Sequence, residues 1–157
     1  MAKVKVLPQT AARVDYERDF FAWTQEQAQI LRARETLELD WDNLAEEIDS
    51  MGRRDRRELE SRLRRILHHL LKWQVQPGLR GPGWRNTLIE QRRQAEKLLR
   101  ESPSLRSHLR QLADEAYPDA VRDAVSESGL RRQTFAADCP FTVEQILDPD
   151  YLPDDEV

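Results

Sequence analysis

Apolar side chains recur at steps of three and four along most of this chain, the signature of amphipathic helices. From Asp15, "DYERDFFAWTQEQAQILRAR" sets Phe20, Trp23, Gln27, Ile30 and Leu31 on one face. Thr24 and Gln27 have capping-box spacing, which leaves open two short helices meeting near Trp23. Asp40 stands at an N-cap position, with Trp41, Leu44, Ala45, Ile48 and Met51 following at helical steps. Gly52 is predicted to cap that helix or act as its hinge. A longer helix over about residues 53–74 turns Leu59, Leu63, Ile66, Leu67, Leu70 and Trp73 inward. "QVQPGLRGPG", with two prolines and three glycines, then ends it.

A fourth helix over residues 84–100 is expected to bury Trp84, Leu88, Ala95, Leu98 and Leu99. Ser102 and Pro103 form an N-cap and first-turn pair for a fifth, with Leu105, Leu109, Leu112, Ala116, Ala120 and Ala124 inward. Pro118 is expected to kink or split it near Asp114, whose carbonyl loses its donor. After Gly129 the chain loosens, and a short helix from Thr142 to near Leu147 precedes the tail. The pattern predicts an all-α fold: a single-domain antiparallel bundle of about five helices, with a short C-terminal helix and an extended tail. Residues 1–14 read as a flexible arm, 15–153 as the helical domain and 154–157 as an acidic tail. Tryptophans 23, 41, 73 and 84 read as core anchors, each contributing on the order of 2–3 kcal/mol when buried.

Composition narrows the class. With 157 residues, 39% hydrophobic and 34% charged, the chain supports one sizeable core and is too balanced in charge for wholesale disorder. No apolar run approaches the roughly 18 residues of a membrane span, and the first residues lack the apolar stretch of a secretory signal. The lone Cys139 leaves neither an internal disulfide nor a cysteine-based zinc site. A cytoplasmic protein is expected.

The net charge of −4 hides a lopsided distribution. Residues 1–52 carry −5, residues 53–110 carry +10 and residues 111–157 carry −9. The acidic stretch after Asp138 is accordingly expected to pack over, or compete for, the basic helices of residues 53–100. Most of the 21 arginines fall in that middle stretch. Arg54 and Arg65 on one helix, with Arg93, Lys97 and Arg100 on the next, are candidate phosphate contacts. Interleaved Glu58, Glu60, Glu90, Glu96 and Glu101, and the acidic first and fifth helices, offer neutralisation within the fold instead.

Several segments resemble a known family. "FFAW" (20–23), "LDWDNLAEEI" (39–48), "HLLKW" (69–73), "QP" (76–77), "GWRNTL" (83–88), "SPSL" (102–105), "AYPDA" (116–120) and "CPFTVEQIL" (139–147) are similar to the bacterial family called domain of unknown function 29. The resemblance covers about residues 15–153. It implies a small all-helical bacterial protein and carries no catalytic residue with it.

Candidate chemistry is sparse. His69, Glu47, Lys72 and Arg85 are placed to form a buried polar network that sets packing rather than performs a reaction. Di-metal bundles need glutamate three residues before histidine. Here Arg65, Ile66 and Leu105 precede His68, His69 and His108, so no metal site or cofactor is expected. Phosphate loops, zinc-protease pairs, dinucleotide fingerprints and nucleophile elbows are missing, and no catalytic residue is assigned. The preferred function is a non-catalytic protein-interaction or regulatory module. The alternative is a nucleic-acid-associated protein using the basic helices; a weaker one is a metal-dependent enzyme centred on Glu47 and His69. Homo-oligomerisation stays open, and no membrane partner is expected.

Overall fold

Amphipathic periodicity, punctuated by caps, gives five α-helices among the described residues. A computed structural model describes residues 13–153. Residues 1–12 of the expected arm over 1–14, and the acidic tail 154–157, lie outside the described residues; of the rest of the arm, Arg13 donates to Glu38 at 2.6 Å and the Val14 N–H to Glu26 at 3.2 Å. Among those described there is no strand, and the fold is all-α. The elements are α1 (Phe20–Ala33), α2 (Trp41–Val75), α3 (Pro82–Glu101), α4 (Leu109–Ser128) and α5 (Val143–Leu147), joined by short 3-10 turns. The chain divides into two compact units, Met1–Met51 and Gly52–Val157, with the division falling inside α2.

In the first unit, Asp19 caps α1 by accepting from the Ala22 backbone N–H at 2.9 Å. α1 is one helix rather than two, because Thr24 does not cap: its hydroxyl donates back to the Phe21 carbonyl at 2.8 Å. Arg34, at φ 59°, ends it in the left-handed region. Trp23 and Gln27 point inward, and Tyr16, Phe20 and Trp23 form an aromatic cluster with centroids 4.9–5.9 Å apart. Asp40 starts α2 as expected: its Oδ1 accepts from the Asn43 backbone at 3.4 Å, and its Oδ2 from the Trp23 indole at 3.1 Å.

Gly52 neither caps nor breaks: it lies inside α2, which runs unbroken from Trp41 to Val75. A lone glycine lowers helix propensity without removing a hydrogen bond, so the flanking helix-forming residues carry the helix through it.

In the second unit, Leu59, Leu63, Ile66, Leu67 and Leu70 of α2 pack with Leu88, Ala95 and Leu99 of α3 and Leu112, Ala116, Ala120 and Val121 of α4. Pairings fix the directions. Arg62 reaches Gln91 and Ser102 reaches Asp55, so α3 runs antiparallel to α2. Arg56 reaches Glu115, and Lys72 reaches Glu127, so α4 runs parallel to α2. The six-residue stretch after Ser102 differs from expectation. Pro103–His108 is a 3-10 segment, and α4 begins only at Leu109. Pro118 does not split α4, which continues to Ser128 and ends on Gly129 at φ 72°. Thr142 and Gln145 close a full capping box on α5.

Candidate functional site

Two surfaces carry polar or apolar groups that folding leaves unspent, one in each unit. In the first unit, Trp41, Leu44, Ile48 and Met51 share one side of α2, since steps of three, four and three bring successive residues back to one stripe. The expected burial of this stripe is corrected by the structure: Trp41, Ile48 and Met51 are 61%, 68% and 61% exposed. Helical spacing shows that apolar residues share a face; it does not show what covers that face. Of the four tryptophans, Trp23 and Trp73 are buried, Trp84 is half-buried and Trp41 is not.

Beside this stripe lies a cavity of about 600 Å³ whose lining includes Trp41, Tyr16, Glu26, Asp40, Asp42 and Glu38, the last paired with Arg13 at 2.6 Å. Hydrogen bonds from Asn43, and then from Trp23, hold the Asp40 carboxyl below its usual range. The Tyr16 hydroxyl donates to Glu47, which pushes the phenol up to about 12. Residues 13–51 carry 4 basic and 11 acidic side chains, a net −7.

In the second unit, a cleft of about 450 Å³ is lined by Ser61, Arg64, Arg65, His68 and His69 of α2 with Asp123 of α4. Two rows with a four-residue step build its wall: Arg64, His68 and Lys72 on α2 face Asp119, Asp123 and Glu127 on α4. Arg64 donates to both oxygens of Asp123 at 2.7 Å and lies 3.5 Å from Asp119. The Lys72 ammonium, on a residue only 2% exposed, donates to Glu127 Oε1 at 2.8 Å and sits 4.6 Å from the Trp84 ring centroid. His68 Nε2 is 2.8 Å from Glu127 Oε2 but misaligned, so this buried nitrogen makes no hydrogen bond. His69 Nδ1 meets the Arg65 carbonyl at 2.9 Å. Burial lowers the pKa of both imidazoles, whereas Lys72 lowers that of Glu127 and Arg64 that of Asp123.

The residues singled out from sequence are distributed as follows. Lys72 finds its carboxylate in Glu127, and His69 bonds to backbone. Arg85 lies over the Trp73 ring at 5.6 Å, and Glu47 accepts from Tyr16 in the first unit. Arg54, Arg65, Arg93, Lys97 and Arg100 are all exposed. Arg93 forks onto Glu90 at 2.9–3.0 Å, and Lys97 lies 3.9 Å from Glu101. Ser61, Arg64 and Asp123 had not been singled out. Their signal was present as the matching four-residue rows of α2 and α4. Among the described residues, no cluster of histidine, cysteine or carboxylate is placed to hold a metal ion, and no helix is long and apolar enough to cross a membrane.

Fold and surfaces together define an all-α protein with an acidic, partly apolar N-terminal unit and a second unit, formed by most of α2 with α3, α4 and α5, whose helices α2 and α4 are cross-linked by opposite charges. The chain belongs to the family described as Domain of unknown function DUF29, whose model matches residues 16–152. No curated protein and no solved structure matches it.

Proposed function

We propose that this protein is a non-catalytic interaction module that binds another protein through the apolar stripe of residues 41–51, its partner offering a basic amphipathic helix. The exposure of that stripe carries the reading. Scattered exposed apolar residues are ordinary, but a contiguous set marks a contact surface. Of the nine large hydrophobic residues exposed among the described ones, seven fall within residues 20–51. Three turns of α2 presenting Trp41, Leu44, Ile48 and Met51 match the anchor spacing by which one helix accepts another.

Charge selects the partner. The net −7 of residues 13–51 and the carboxylate-lined cavity at Trp41 favour lysine and arginine and repel acidic segments. An indole at the mouth of that cavity adds a cation–π contact for an entering side chain.

A synthetic amphipathic leucine–lysine helix, with a scrambled version of the same composition, tests the reading by tryptophan fluorescence titration. Saturable binding of the amphipathic peptide alone is expected, and Ile48→Ser with Met51→Ser should weaken it at least about tenfold. Both side chains are exposed, so the double variant should keep its stability within about 1 kcal/mol. Equal binding of both peptides, or undiminished binding by the double variant, would refute the proposal. A dimer in sedimentation that the same substitutions dissolve would reassign the stripe to a second copy of the chain.

A further inference from the structure

We propose that the cleft between α2 and α4 is a binding site for a phosphate monoester, with Arg65 and His69 as principal contacts and the Ser61 hydroxyl as a further donor. The inference concerns residues 61–69 and 123 and is independent of the apolar stripe of residues 41–51.

Accounting for charge within the cleft comes first. Its one lining carboxylate, Asp123, is closed off by two 2.7 Å bonds from Arg64. That leaves Arg65, exposed and without an ion-pair partner among the described residues, as a cation the fold does not use. Ser61, Arg65 and His69 are spaced four apart on α2, so hydroxyl, guanidinium and imidazole follow one another at a rise of about 6 Å. No apolar side chain lines the cleft, and its volume of about 450 Å³ falls within the range of small-molecule sites.

Tautomer chemistry sharpens the ligand class. Neutral His69 donates through Nδ1 to the Arg65 carbonyl, which leaves Nε2 as the nitrogen that gains or loses the second proton. Burial is the main reason the free protein disfavours that proton, with the charges of Lys72 and Arg65 of α2 acting the same way, while the bond to the Arg65 carbonyl and the charge of Glu127 of α4 favour it. A monoester dianion brings two charges: one meets the Arg65 guanidinium through paired N–H donors, and the other supports a protonated Nε2–H. A phosphodiester brings only one. The site is therefore one for terminal phosphate rather than for a nucleic-acid or lipid backbone.

Methyl phosphate and dimethyl phosphate separate these cases in the full-length protein, followed near neutral pH by imidazole ¹⁵N NMR. Methyl phosphate should saturate the His69 signals at millimolar concentrations and convert Nε2 to its protonated form; dimethyl phosphate should do neither. Arg65→Gln should weaken methyl phosphate about tenfold, whereas Arg32→Gln, at an exposed arginine of α1 that does not line the cleft, should change it by less than about twofold. No saturation up to about 50 mM methyl phosphate, equal binding of the diester, or equal weakening by both arginine variants would each overturn the proposal.

Discussion

A guanidinium taken out of water must recover several hydrogen bonds at once, and Arg92 recovers them from one short stretch of chain. The residue is 3% exposed. Its Nε donates to the Ile146 carbonyl at 2.9 Å, Nη2 to Gln145 at 3.1 Å and Nη1 to Tyr151 at 3.0 Å. Burial lowers its pKa, while Asp148 and Asp150 oppose that shift. α5 and the segment that follows it are thus clamped to α3 by backbone carbonyls more than by their carboxylates. Sequence charge anticipated a tail drawn to a basic helix, yet Arg92 itself was not singled out. Position 92 falls between Leu88 and Ala95 on the inner face of α3, where an arginine breaks the apolar pattern, and carbonyl acceptors leave no trace in composition. Arg92→Met should leave several buried carbonyls unsatisfied and cost on the order of 3 kcal/mol, seen as a lower urea midpoint. The region from residue 143 onward should also become the first site of limited proteolysis, and a loss below about 1 kcal/mol would contradict the clamp.

Elements were legible wherever a side chain closes its own helix end. Asp40 and Thr142 start α2 and α5 where their spacing predicts. Legibility fails where the outcome depends on neighbours. Gly52 and Pro118 both read as breaks, and both lie inside continuous helices. Proline costs one donor and a clash at the preceding turn, which packing of Tyr117, Ala120 and Val121 into the core outweighs. Gly52 has no such packing, and nothing stands within 4 Å of where a Cβ would be. It weakens α2 only through backbone entropy. Gly52→Ala should therefore raise stability by about 0.5–1 kcal/mol, readable as a higher urea midpoint and increased helical circular dichroism. Loss of stability on this change would mean that the position needs a non-helical backbone. The stripe from Trp41 to Met51 teaches the complementary lesson: periodicity named its face correctly and its burial wrongly, because burial is a property of what lies opposite.

At the scale of the molecule, the +10 of residues 53–110 is answered in part inside the second unit by the acid row of α4, together with Glu115 against Arg56. These pairs are mostly half-exposed, and each contributes little alone. Their arrangement makes stability pH-dependent in two stages. His68 and His69 have folded pKa values below that of the unfolded chain because burial disfavours their charged forms. Their contribution is full above the unfolded value of about 6.5 and is lost as pH falls through the lower folded values. Asp114, Asp123 and Glu127 are also depressed, each by its arginine or lysine donor. Their contribution is present above the unfolded carboxylate range of about 4 and disappears as pH falls through the still lower folded values. In phosphate-free buffer, the urea midpoint should fall once between neutrality and mildly acidic pH and again below about pH 4. The double variant His68→Gln, His69→Gln should lose the first decline and keep the second, since the lowered pKa values of these two imidazoles supply the upper step. Persistence of the upper decline in that variant would place the acid-sensitive group elsewhere. Methyl phosphate, if it recruits a proton to His69, should flatten the same decline in the unmodified protein by stabilising the protonated ring.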